Sequence, residues 1–65
     1  MRYDRLFQML NTRNVKRSSL VENGIISSES LTRLKKNGSV SLRTLENISG
    51  YLGCGVDELI SPDLN

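Results

Sequence analysis

The sequence predicts an all-α domain, and three observations lead there. Apolar residues recur at three- and four-residue spacing along the chain and do not alternate over the length of a strand. The apolar groups are separated by serine, asparagine and glycine positions suited to opening or closing a helix. No internal repeat, low-complexity tract or linker interrupts the 65 residues, so residues 1–65 are read as one domain. A chain of this length buries only roughly 60% of its unfolded surface. That calls for a compact core and argues against a large catalytic cavity.

Five short helices follow in order. In "YDRLFQML", Leu6, Phe7 and Leu10 share one helical face, and polar "NTRN" is the exit. "KRSSLVEN" brings Leu20 and Val21 inward and ends at Gly24, whose freedom to take positive φ suits the position after a helix. The third helix is capped by Ser27 or Ser28 and stopped by "NG" at Asn37 and Gly38. Ser41 caps the fourth, where Leu42, Leu45, Ile48 and Leu52 form the widest apolar stripe before Gly53. "VDELI" makes the fifth, with Val56, Leu59 and Ile60 inward, Asp57 and Glu58 in its first turn, and Ser61-Pro62 as terminator.

The formal net charge of +2 hides an asymmetry. All nine basic residues lie at or before Arg43 together with three acids, a sum of +6, and the four remaining acids leave the last third at −4. Such a distribution suits one surface to a polyanion, although an ordinary solvated surface would carry the same composition. Histidine is absent and Cys54 is the single cysteine, which excludes an intrachain disulfide and a conventional Cys/His zinc site. Cys54 reads as a small, partly buried residue. No apolar run of about 18 residues and no leader-like segment is visible, so a cytoplasmic protein without a membrane partner is expected. Enzyme chemistry is not expected either. The serines lack an evident base, no glycine-rich loop has phosphate-binding spacing, and the acids do not form a convincing pair. No cofactor, metal or small-molecule ligand is inferred.

The third helix carries the functional signal. At about 100° per residue with Ser28 as zero, Leu31 and Leu34 point to about 300° and 240°, whereas Thr32, Lys36, Glu29 and Arg33 point to about 40°, 80°, 100° and 140°. One face is core and the other is chemistry. A helix presented in this way, behind a shorter helix and a tight turn, fits the major groove of B-DNA with its N-terminal side chains at the base edges. Short serines permit close approach, and their hydroxyls can reach phosphate or bases. Arg33 can fork onto a guanine edge. Glu29 and Arg33 also stand at i and i+4 in the order that favours an exposed ion pair. A carboxylate here is repelled by phosphate unless it accepts from a cytosine amino group or restrains Arg33. Tyr3, Phe7 and Tyr51 read as core or dimer-interface aromatics, too scattered for a single-strand stacking surface.

Leu20, Gly24, Ile26, Leu31 and Leu34, with Ser27 opening the third helix and "VSLRTLENISGYLGCGVDEL" behind it, resemble the Cro/CI-type (Xre-like) helix-turn-helix domain of phage and bacterial repressors. The resemblance covers nearly the whole chain. It is closest to a small single-domain branch with a "GIIS" block, a "VSL.TL" fourth helix and an "LGC" ending. It implies a compact five-helix, lambda-repressor-like DNA-binding fold. It further implies phosphate contacts from Lys16, Arg17 and Ser18 at the start of the second helix, and base reading by Ser28, Glu29, Thr32 and Arg33. Ser27 and Ser30 would contact the DNA backbone, and the loop at Lys36, Asn37, Gly38 and Ser39 would meet phosphate again.

The chain departs from the family pattern at four places. Ile25 stands where glycine is usual, Val21 where a small residue is usual, and Gly24 lies one place before the usual turn glycine. This implies a different turn geometry and contact register. Lys16 replaces the usual Ser or Thr cap, so Asn14 or water would have to serve. The resemblance implies a sequence-specific regulator of double-stranded DNA, expected to be a repressor that pairs as a homodimer through Tyr51, Leu52, Leu59, Ile60 and Leu64. The alternative is a protein-interaction module, such as an antitoxin or anti-repressor partner, on the same fold.

Overall fold

Two leucines one turn apart begin the architecture in the computed structural model, which describes residues 2–60. Leu6 and Leu10 are buried on the inner face of α1, Asp4–Thr12, and Asp4 sits in its first turn, where the helix dipole favours a carboxylate. Among the described residues no side chain caps this helix; the Leu6 N–H instead donates to the Leu59 carbonyl at 3.1 Å. The start of the first helix is thus satisfied from the far end of the chain. The helix gives way to a turn at Arg13 and Asn14, the latter left-handed with φ +60°.

Helix α2, Arg17–Glu22, is short, and Lys16 precedes it without any side-chain cap bond from Lys16 or Asn14. Helix α3 runs Ser28–Lys35, and of its two candidate caps Ser27 is the one used, accepting from the Ser30 N–H at 3.1 Å. Its stop is the expected Asn37-Gly38 pair. Asn37 takes the left-handed conformation, φ +55°, and the Gly38 N–H closes on the Arg33 carbonyl at 2.7 Å. Helix α4, Leu42–Leu52, is capped by Ser41, which accepts from the Thr44 N–H at 3.2 Å, and ends at Gly53 with φ +72°.

Leu45, Ile48 and Leu52 of the expected α4 stripe are buried, but Leu42 is 62% exposed. Side chains lean toward the N-terminus of their helix, so a residue in the first position reaches past the helix end and away from the core. The fifth element also differs: Val56–Glu58 is a single 3-10 turn. So few residues cannot meet the cost of nucleating an α-helix. The turn is held by Leu59 N–H to the Val56 carbonyl and by the Glu58 carboxylate, which accepts from the Gly55 N–H at 3.1 Å. The expected terminator, Ser61-Pro62, lies outside the described residues.

Each α-helix and the C-terminal turn supplies a side chain with no exposed surface: Leu6, Leu20, Leu34, Ile48 and Leu59. Leu52 and Leu59, expected at a dimer contact, are therefore core residues and unavailable to a second copy; Leu64 lies outside the described residues, and Tyr51 remains exposed. Tyr3 is also in this core. Its hydroxyl donates to the Gly38 carbonyl at 2.8 Å, and its own N–H donates to Asn37 Oδ1 at 3.3 Å. Arg13 makes a comparable link, donating from Nη1 to the Leu52 carbonyl at the C-terminus of α4, where a cation offsets the helix dipole. Among the described residues no helix is long and apolar enough to cross a membrane.

Candidate nucleic-acid interface

The turn between α2 and α3 is built on one carbonyl. Leu20, fully buried, accepts at its oxygen from both the Ile25 N–H at 2.9 Å and the Ile26 N–H at 3.1 Å, while the Gly24 N–H donates to Val21 at 3.0 Å. These bonds close the end of α2 only because Gly24 takes φ +70°, a conformation that costs a side-chain-bearing residue roughly 1–2 kcal/mol. Ile26 is then drawn under the turn, Ile25 is half-buried, and Ser27 emerges extended to cap the next helix.

On α3, Leu31 and Leu34 are buried, while Ser28, Glu29, Thr32 and Arg33 are exposed, as is Lys36 just beyond the helix. Two internal bonds order this outer face. Arg33 Nη2 donates to Glu29 Oε1 at 2.6 Å, with the two side chains 57% and 73% exposed. Thr32 Oγ1 donates to the Ser28 carbonyl at 3.1 Å, so its hydroxyl proton is engaged within the helix. With that proton so placed, Thr32 turns its methyl group and oxygen lone pairs outward. Ser27 is similarly occupied: it accepts from the Ser30 N–H and donates to Ser30 Oγ at 3.1 Å. Ser30 itself is half-buried.

Before the turn, Lys16, Arg17 and Ser18 are all exposed. The Arg17 guanidinium carbon lies 4.1 Å from the centroid of the Phe7 ring, an attraction that holds the cation against α1 at the start of α2. Together these residues border an open groove that Gln8, Asn11 and Asn14 also line. After α3, Lys36, Asn37 and Ser39 are exposed and Gly38 is half-buried. Asn37 Oδ1 is occupied by the Tyr3 N–H, which leaves the Asn37 amide nitrogen as the donor of that side chain.

Three residues shape this region without having been singled out for it by spacing: Tyr3 behind the loop after α3, Phe7 beneath Arg17, and Arg13 at the end of α4. Tyr3 and its partners are 34 and 35 positions apart, and no local pattern could connect them. Among the described residues no cluster of His, Cys, Asp and Glu could hold a metal ion.

A family model of the Cro/C1-type HTH DNA-binding domain matches residues 5–63. The chain belongs to that family. No curated protein and no solved structure gives a significant match. The Cro/C1-type assignment agrees with the all-α architecture and with the α2–turn–α3 unit just described. This Cro/C1-type domain is a DNA-binding regulator, with DNA as its partner.

Proposed function

We propose that this domain is a sequence-specific repressor of transcription that lays α3 in the major groove of double-stranded DNA. The observation that carries the reading is the outer face of α3, where every exposed side chain is polar or charged while Leu31 and Leu34 anchor the helix from behind. Ser28, Glu29, Thr32 and Arg33 then face base edges. Lys16, Arg17 and Ser18 contact phosphate on one side, and Lys36, Asn37 and Ser39 on the other. Ser27 and Ser30 support these contacts mainly by shaping the start of α3.

The eight residues of α3 extend about 12 Å, enough for only about three or four base pairs. So short a sequence recurs too often in a genome to define an operator. This supports a homodimer on a palindromic site, with two α3 helices about 34 Å apart in successive major grooves.

Gel shift against genomic fragments tests the reading. A retained fragment whose affinity falls steeply between low and moderate salt is the expected result, with Arg33→Ala weakening it. Absence of salt-sensitive binding to every fragment would refute the proposal. A second reading, a protein-interaction module on the same fold, is favoured by the exposed Leu42 and Tyr51 and by the acids after Arg43. A stable protein partner captured from the host, with Arg33→Ala unchanged in DNA assays, would select it instead.

A further inference from the structure

We infer that Glu29 and Arg33 act as one reading unit for a G·C base pair in a fixed orientation; this rests on the placement of α3 in the major groove. A carboxylate alone on this face would be repelled by phosphate. Here it is not alone, because Arg33 Nη2 donates to Glu29 Oε1 at 2.6 Å and the pair is electrically neutral. Phosphate attraction is left to cations elsewhere, such as Arg17 and Lys36.

What the pair offers outward is a pattern. Among the described residues, Glu29 Oε2 and the Nε and Nη1 groups of Arg33 have no hydrogen-bond partner. The unit therefore presents guanidinium donors beside a carboxylate acceptor. Across the major groove a G·C pair presents the complementary order: acceptors at guanine N7 and O6, then the cytosine N4 amino donor. Arg33 forks onto the guanine through Nη1 and the second N–H of Nη2, the first being given to Glu29, and Glu29 accepts from the cytosine paired with that guanine.

The alternatives fail at specific atoms. An A·T pair puts an adenine amino donor against the guanidinium and the thymine O4 acceptor against the carboxylate. A C·G pair offers the same groups in reverse order. Glu29 and Arg33 hold fixed positions one turn apart on α3, so they cannot exchange places to follow that reversal. Thr32 gives its hydroxyl proton to the Ser28 carbonyl and lies outside the pair.

Selection of bound fragments from random duplexes at fixed salt tests this with the wild type, Glu29→Gln and Arg33→Ala. The expected result is a wild-type site with one G·C pair whose preference falls about tenfold in both variants. Placing 7-deazaguanine at that pair should weaken the unaltered protein by a similar factor and leave Arg33→Ala unaffected. If Glu29→Gln keeps the full preference and merely binds every duplex more tightly, Glu29 is a repulsive neighbour and the unit does not exist. Loss of preference at two different base pairs in the two variants overturns it as well. If the wild type enriches no site, the reading of DNA by α3 fails, a result distinct from either of those.

Discussion

Ser27 does two jobs with one hydroxyl, accepting from the Ser30 N–H and donating to Ser30 Oγ. Ser27→Ala removes the cap of α3 and is predicted to cost about 1 kcal/mol, measured as a lower urea midpoint with an unchanged slope. Ser28→Ala, outside the cap, should shift the midpoint far less. Cys54 is half-buried, and its thiol pKa is pushed up, first by burial and then by the Glu58 carboxylate; Arg13 pulls the other way, and Asp57 adds a smaller push upward. The thiolate is the reactive form, so alkylation at neutral pH should be slower in the folded chain than in urea, and Glu58→Gln should accelerate it. Folding favours the neutral thiol. Its stabilising contribution is complete below the unfolded pKa and is lost as pH rises through the raised folded value, so the Cys54→Ser variant should lose less stability on the alkaline side.

At the scale of elements, the loop between α3 and α4 owes its shape to a residue that precedes α1. Tyr3 holds it by two bonds, hydroxyl to the Gly38 carbonyl and N–H to Asn37 Oδ1. Tyr3→Phe keeps the ring and the backbone bond but leaves a half-buried carbonyl without this partner. The predicted loss is about 1 kcal/mol. Hydrogen exchange should localise the effect, with the Asn37 and Gly38 amides exchanging faster and those of α1 little changed. If this loop also meets phosphate, DNA affinity should fall uniformly across sequences without altering base preference.

Across the whole molecule, the core is shared by every element, and Leu59 closes it from the C-terminal turn. Its side chain is fully buried and its carbonyl accepts from the Leu6 N–H at 3.1 Å. Leu59→Ala is predicted to cost about 2–5 kcal/mol, whereas a domain of this size has only about 3–10 kcal/mol in total. Thermal unfolding should therefore show a large drop in midpoint. Leu42→Ala supplies the contrast: at 62% exposure it should change stability by less than about 0.5 kcal/mol. Should Leu42 belong to a partner-binding surface, that variant would separate binding from folding.

Local chemistry determined most of the elements. The spacing of Leu6 and Leu10, the cap at Ser41 and the outward set Ser28, Glu29, Thr32 and Arg33 were all legible, because helical periodicity and capping act within one or two turns. The family resemblance extended that to the arrangement of α2 and α3, and the match over residues 5–63 agrees with it. Only the tertiary structure decided which apolar residues are free for a partner. Leu42 and Leu52 lie on one stripe by spacing, yet one is exposed and the other buried, because burial depends on what packs above a residue and not on its phase. The same holds for Tyr3 on the loop, Arg13 at the end of α4 and Leu59 at the start of α1. Each joins residues more than thirty positions apart, and a bond across that distance exists only after the chain has closed on itself.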